Sequence, residues 1–281
     1  MIKTLAYFPN QCALNSTPVM SALLECIQAS GITTEEKSLT SDAAVIWSVL
    51  WNGRMSANQQ VYEHYRAQGK PVIIVETGSL QRGKTWKIAV NNINSTGYYG
   101  HQEHLDMDRP KKLGISLAVP AFNRPEILIA AQHQKSLQVA ELPSVEAWIY
   151  KQILQIKQIT DRPIIVRPHP RSPLNTKLLP NNIVFEEPNY LSGTYDSFDM
   201  HFDCHAVVNY NSGPGIQAAI SGIRPLVDDS SLASPVGISI NNIEQPYDQD
   251  RQQWLVKISH TEYTIPEIKS GLWLKRIAPA L

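Results

Sequence analysis

Short apolar runs alternate with amphipathic stretches along this chain, and the alternation predicts a layered α/β protein. Residues 3–8 read as a first strand and residues 18–30 as a helix stopped at Gly31. Residues 43–50 follow as a buried strand. Over residues 58–68 the apolar Val61, Tyr62 and Tyr65 recur at helical spacing, with Gly69 placed to cap the end. Residues 72–75 are a β-branched run closed by Glu76, Thr77 and Gly78. Strand, helix, strand and turn in succession is the rhythm of a parallel, doubly wound sheet.

The segment 91–124 is rich in Asn, Gly, Tyr, His and Pro and weak in periodicity, which predicts long loops around short strands. A second α/β unit begins near Glu126. Residues 127–131 read as its first strand, and Ser144 caps a helix to about Ile159 with Trp148, Ile149, Ile153 and Ile156 as its apolar positions. Residues 160–163 end that helix, and strands follow at 164–166, 206–208 and 226–227, with a helix at 216–221. The expected layout is two Rossmann-like domains with parallel sheets, residues 1–125 and 126–247. A tail, residues 248–281, packs back on the first.

Length agrees with this layout, since 281 residues suffice for two α/β domains. Charge adds a local feature. The chain balances 25 Lys plus Arg against 25 Asp plus Glu, so no overall charge advertises nucleic acid. Between Trp51 and Pro125, however, ten basic residues face five acidic ones, whereas from Glu141 onward twelve basic residues face fifteen acidic. A polyanionic partner would therefore meet the first half. Cys12, Cys26 and Cys204 form no CxxC pair and leave an odd thiol, which fits a reducing cytoplasm. No signal peptide and no apolar run of membrane-spanning length is read, so the expectation is a cytoplasmic protein with no membrane partner.

The chemistry concentrates at two places in the second half. Arg167, Pro168, His169, Pro170 and Arg171 directly follow the strand at 164–166. Some forty residues later, residues 209–215 form a glycine-rich turn into a helix. Arginine offers planar forked donors, histidine a further donor, and the free N–H groups of a helix start add positive potential, a set suited to a diphosphate. A strand running into a proline turn is also ordinary punctuation. On the anion-binding reading the donor-site residues are Arg167, His169, Arg171, Asn211, Ser212, Gly213, Gly215 and Gln217. Tyr210 occupies the position where a hydrolase elbow needs glycine, and no Gly-Lys-Ser/Thr ending marks a P-loop.

In open α/β sheets, ligands bind beyond the carboxyl ends of the strands. Glu76, His169, Ser212 and the pair Asp228 and Asp229 all fall at such ends, and two facing halves would bring Glu76 to one cleft with His169 and Ser212. Glu76 is the candidate general base, with a solvated turn residue or a partner to Arg82 as its structural alternative. Asp203 and His205 compete as acid/base candidates. Trp51, Arg54, Arg82 and Trp86 mix aromatic and basic character suited to a sugar or an extruded base with its phosphates. Trp47, inside an apparent strand, reads as core.

Four segments, residues 45–54, 69–78, 160–171 and 209–215, together resemble a group of phage-encoded glycosyltransferase-like proteins, over roughly residue 43 to the end. More distantly they are similar to capsule Kdo transferases of GT-B architecture, in which a Glu-Asp-Gly turn serves the active site and a His-Pro motif binds the donor nucleotide phosphate. Here Thr77 stands in place of that Asp, so a Kdo-like covalent mechanism and a CMP-Kdo donor are not implied. The resemblance implies a GT-B fold and a nucleotide-sugar donor, UDP- or CMP-linked. The anion-binding scheme itself requires no metal, since its cations neutralise the leaving group, although Asp228 and Asp229 could hold one. The resemblance also implies a hydroxymethylated pyrimidine, hydroxymethylcytosine, in phage DNA as acceptor. A surface-polysaccharide transferase and a non-catalytic nucleotide- or DNA-binding module are the alternatives.

Overall fold

Two parallel βαβ cores gather most of the buried apolar residues. The computed structural model describes residues 2–120, 125–180, 183–187 and 202–281. It divides into two compact units, Met1–Asp106 with Lys257–Leu281, and Met107–Val256. Each has its own sheet.

In the first unit, β1 (Thr4–Tyr7), β2 (Thr33–Glu36), β3 (Ala43–Trp47), β4 (Val72–Thr77) and β5 (Trp86–Val90) lie in the order β5-β4-β3-β1-β2. Helix α1 (Thr17–Ala29) crosses from β1 to β2, and α2 (Asn58–Ala67) from β3 to β4. Every residue of β3 is buried, as a central strand covered on both faces requires. Trp47 is core. β2, with the polar sequence Thr33 to Glu36, tolerates its place at the edge.

The expected parallel pairing holds for β4, β3, β1 and β2, and one antiparallel strand extends it. β5 runs antiparallel to β4 because residues 78–85 are too few for a crossover, which takes a dozen or more. β2 and β5 were not expected as strands. The first is too polar to stand out, and the second carries Lys87 at a buried position.

In the second unit, β6 (Ile127–Ala130), β7 (Ile164–Arg167), β8 (Val184–Phe185), β9 (Ala206–Asn209) and β10 (Arg224–Val227) form an all-parallel sheet in the order β10-β9-β6-β7-β8. The order reverses between β6 and β9, which makes their carboxyl ends the topological switch point. After a short α3 (Arg109–Lys112), α4 (Val145–Ile159) starts where Ser144 Oγ accepts from Ala147 N at 3.0 Å, and it buries Val145, Ile149, Ile153 and Ile156. α5 (Gly213–Ile220) follows β9.

Residues 107–120 pack within this second unit. Ala118 N donates to Ile220 O at 2.9 Å, and Arg251 donates to Ala118 O at 2.8 Å and to Ala219 O at 2.7 Å. The change of unit therefore precedes the expected boundary at residue 125. Within the loop-rich segment 91–124, residues 121–124, including Arg124, lie outside the described residues.

The chain returns to the first unit after α6 (Gln252–Ser259) begins. β11 (Glu262–Tyr263) pairs antiparallel with β5, then α7 (Ile265–Lys269) and α8 (Leu272–Ile277) follow. A capping box between Thr264 and Glu267 opens α7. Ile268, Trp273 and Ile277 are fully buried in one core with Leu5, Leu23 and Ile27. Cys12, Cys26 and Cys204 are free thiols, all buried. Among the described residues no helix is long and apolar enough to cross a membrane.

Candidate active site

In the first unit the end of β4 is built around three buried or half-buried charges. Glu76 stands opposite Lys87 in the β4–β5 register, and Lys87 stands opposite Glu262 in the β5–β11 register. Side chains directly opposite share a face of the sheet. Lys87 is buried, and burial lowers its pKa while Glu262 and then Glu76 oppose that shift. Glu262 is fully buried. It accepts from Ser79 N at 2.6 Å, Leu80 N at 3.0 Å and Thr85 Oγ1 at 2.8 Å, so the tail strand fixes the turn that follows Glu76.

The Glu76 carboxylate is oriented from two sides. Ser48 Oγ donates to Oε2 at 2.6 Å, and Thr77 N donates to Oε1 at 2.9 Å. Ser48 sits just past β3 with φ of 65°, a left-handed conformation that costs a non-glycine residue energy. Its own N–H bonds Val75 O at 2.7 Å and its hydroxyl accepts from Leu50 N at 3.0 Å. Backbone strain beside a half-buried carboxylate is a pattern of functional sites.

Gly78 completes the turn because nothing larger fits. A Cβ there would lie 2.2 Å from Thr85 O and 2.5 Å from Glu262 Oε2. Gly78→Ala is expected to destabilise the first unit by about 1–3 kcal/mol or more, since backbone must move to make room. Urea denaturation checks this, and an unchanged midpoint would contradict the packing described.

In the second unit, polar residues leave the carboxyl ends of β6, β7, β9 and β10 together. Across the switch point Gln132 and Asn211 bond reciprocally: Asn211 N donates to Gln132 Oε1 at 2.7 Å, and Gln132 Nε2 to Asn211 Oδ1 at 3.0 Å. Asn211 Nδ2 further donates to Ser230 Oγ at 2.9 Å and Gln138 O at 3.2 Å. Its amide is thus committed inside the protein, and it shapes the site rather than facing a ligand. Ser212 precedes α5, its N–H donating to Asn209 Oδ1 at 2.8 Å. Gly213 and Gly215 fall in the first turn of α5, where Gly215 is needed because a Cβ would come within 2.6 Å of Val227 Cγ1. Gln217 is half-buried on the following turn.

His169 follows β7, its Nδ1 accepting from Arg171 N at 3.1 Å. Its ring meets that of His133, which leaves the end of β6, with centroids 5.1 Å apart. The Arg171 side chain is exposed. Arg167 pairs with Glu186 through one terminal nitrogen and lies 5.7 Å from the centre of the Phe202 ring, while its Nε and its other terminal nitrogen are buried without a hydrogen-bond partner among the described residues.

Asp203 and His205 are not brought to this edge. They precede β9, at the amino ends of the strands, because the strand itself separates them from Asn209. His205 is buried, with Nε2 bonded to Ile243 O at 2.7 Å, and burial lowers its pKa. It lines a small cavity with Arg162, Arg224 and Glu244. Arg162 binds both oxygens of Glu244, at 2.7 and 2.9 Å, and holds that carboxyl down to about 2. This is an ion-pair network on the opposite end of the sheet.

Of the expected acceptor residues, Arg54 is exposed, and Trp51 is half-buried with its ring 5.9 Å from that of Tyr62. Trp86 packs on the first core from within β5, and Arg82 lies half-buried in the turn before it.

Comparison with solved structures decides the architecture. The chain is similar to Thermosulfurimonas dismutans KpsC, beta Kdo 2,4 transferase, at 10% identity and a TM-score of 0.51, over 96% of this chain and 98% of that one. It is similar to the KpsC, beta Kdo 2,7 transferase of the same organism at 11% identity and a TM-score of 0.52, over 97% and 99%. The chain has the GT-B glycosyltransferase fold. No family model matches the sequence, and no curated protein matches it.

Within this GT-B fold, several residues escaped the reading of the sequence. Ser48, Lys87, Gln132, His133 and Glu262 surround the candidate groups without belonging to a motif. A signal existed for some of them. Gln132 and His133 are the first polar residues after an apolar strand, the position where an open α/β sheet places its ligand contacts. Ser48 likewise follows the run at 43–47. Glu262 was illegible, since it reaches its turn from 182 or more residues away.

Proposed function

We propose that this protein is a glycosyltransferase that moves a sugar from a nucleotide-sugar donor to a hydroxyl acceptor. The observation that carries the reading is the carboxyl edge of the second sheet. There, two histidines and the glycine-opened helix α5 converge at a switch point within a GT-B fold. His169, Arg171, Ser212, Gln217 and the backbone N–H groups of Gly213 and Gly215 bind the donor's phosphates. These donors are set to stabilise the charge that gathers on the departing nucleotide, the largest catalytic contribution in such transfers. Glu76 takes the proton of the acceptor hydroxyl as that oxygen attacks the anomeric carbon and the bond to the nucleotide phosphate breaks. UDP and CMP are both compatible nucleotides, and the scheme uses no metal.

The acceptor proposed first is a hydroxymethylated pyrimidine of phage DNA, on the strength of the sequence resemblance, with Trp51 and Arg54 as contacts. A saccharide hydroxyl is the second reading, and one observation favours it. Once residues 1–50 and the tail are included, the first unit carries twelve Lys and Arg against ten Asp and Glu, so the basic excess of segment 51–125 is largely neutralised. Phosphate contacts dominate DNA affinity, and a balanced unit supplies few.

The deciding experiment incubates the protein with hydroxymethylcytosine DNA and a panel of UDP- and CMP-sugars, then digests the DNA to nucleosides for mass spectrometry. A glycosylated nucleoside is the expected product, lost in His169→Ala. No mass gain on DNA, with transfer to an oligosaccharide, would overturn the first acceptor and keep the transferase. No transfer to either would overturn both.

A further inference from the structure

Two histidines on adjacent strands carry the same local device. After β7, Arg171 N donates to His169 Nδ1 at 3.1 Å, and after β6, Lys135 N donates to His133 Nδ1 at 3.1 Å. A neutral imidazole whose Nδ1 accepts a hydrogen bond keeps its proton on Nε2. Both rings therefore present an Nε2–H, and each is followed two residues on by a cation. They meet edge to face, at 74° between planes.

His133 is the informative member of the pair. It is only 6% exposed, yet among the described residues no partner stands in good hydrogen-bonding geometry to its Nε2, the Arg171 backbone making a weaker contact with the ring. Buried N–H donors are rarely left unpaired in native proteins, and an exception calls for an explanation such as an absent ligand. Burial first, then the charges of Arg171 and Lys135, lower the pKa of His133 against a smaller opposing contact with the Arg171 backbone, and the net direction favours the neutral ring.

The loops holding the two rings are fixed to each other. Glu146 Oε1 accepts from Gln134 Nε2 at 2.9 Å and from Asn175 N at 3.0 Å, and Gln134 N donates to Ser172 Oγ at 3.3 Å. Next to His133, Gln132 is tied across the switch point to Asn211. The Nε2–H is thus held at the sheet's ligand-binding edge by its surroundings before any ligand arrives.

We propose that His133 is a second phosphate ligand of the donor nucleotide, its Nε2–H and that of His169 donating to two oxygens of one phosphate group, with Lys135 and Arg171 adding charge. The proposal rests on the donor-site reading given above and adds to it a residue from β6 that no motif marks.

The test compares wild type with His133→Asn and His133→Gln by calorimetric titration with CMP, UDP, cytidine and uridine. An Asn amide oxygen can still take the Lys135 N–H, but its side chain ends where Nδ1 stood. A Gln amide reaches the place of Nε2. His133→Asn is expected to lose about tenfold or more in affinity for the phosphate-bearing ligands, the scale of a hydrogen bond to a charged group. Nucleoside affinity should not change, and His133→Gln should recover most of the loss.

Should the Asn variant fail to fold, 15N-imidazole spectra of the unmutated protein give the answer. The His133 Nε2–H resonance is expected to shift with CMP or UDP and to stay put with nucleosides. Equal nucleotide affinity in a folded His133→Asn, or a resonance indifferent to phosphate, overturns this proposal alone. A wild-type protein that binds neither nucleotide overturns the donor-site reading, and the role of His133 with it.

Discussion

Glu76→Gln is expected to slow sugar transfer by about 10²–10⁴-fold, the usual contribution of a positioned general base, while leaving nucleotide affinity within about twofold. The amide is nearly the same size; its oxygen can keep the Thr77 N–H while the Ser48 hydroxyl turns to accept from the amide nitrogen, so the turn at Thr77 and Gly78 should hold. What it lacks is the ability to accept a proton. Single-turnover rates with saturating donor, beside calorimetric titration of UDP and CMP, separate the two effects. A variant that transfers as fast as wild type would remove Glu76 from the chemistry. A variant that loses nucleotide affinity in parallel would make it a structural residue.

Ser48→Ala sharpens this expectation. The Ser48 hydroxyl orients Glu76 without being positioned as a base itself, so its loss should give a smaller decrease than Glu76→Gln.

The architecture was legible because its strongest signals are local. Ala43 to Trp47 and Val72 to Val75 are apolar runs of strand length, and helix α4 announces itself through Ser144 and the spacing of Ile149, Ile153 and Ile156. The GT-B fold followed from these and from the resemblance. Strands β5 and β11 were not legible, because each derives its place from the other. Lys87 is a poor residue for a buried strand until Glu262 lies opposite, and Glu262 is a poor one until Lys87, Thr85 and the turn N–H groups satisfy it.

The candidate site divides along the same line. Glu76, His169 and Ser212 lie at strand ends, where sequence position alone suggests chemistry. Arg167 and Asn211 looked equivalent to them, but each also holds a partner, Glu186 and Gln132, that only the folded chain supplies. The pair Asp203 and His205 illustrates a simpler error. Three residues of strand separate His205 from Asn209, enough to put it on the amino end of the sheet.

Glu262→Ala is expected to be the most damaging substitution for stability, by about 3–5 kcal/mol, because it strips a buried cation of a partner and leaves two backbone donors and the Thr85 hydroxyl without their acceptor. The stability of the first unit in urea is the direct measurement. The effect should not stop there. With Glu262 absent, Glu76 is the remaining carboxylate noted beside Lys87, and the turn that follows Glu76 loses its anchor, so transfer should fall as well. A double-mutant cycle distinguishes charge from hydrogen bonding. If the Lys87 charge dominates, Lys87→Met in the Glu262→Gln background should restore stability lost by Glu262→Gln alone, since removing both members of a buried pair is often neutral. If the bonds to Ser79, Leu80 and Thr85 dominate, Lys87→Met will restore nothing. A Glu262→Ala protein as stable as wild type would contradict both accounts and detach the tail strand from the site it supports.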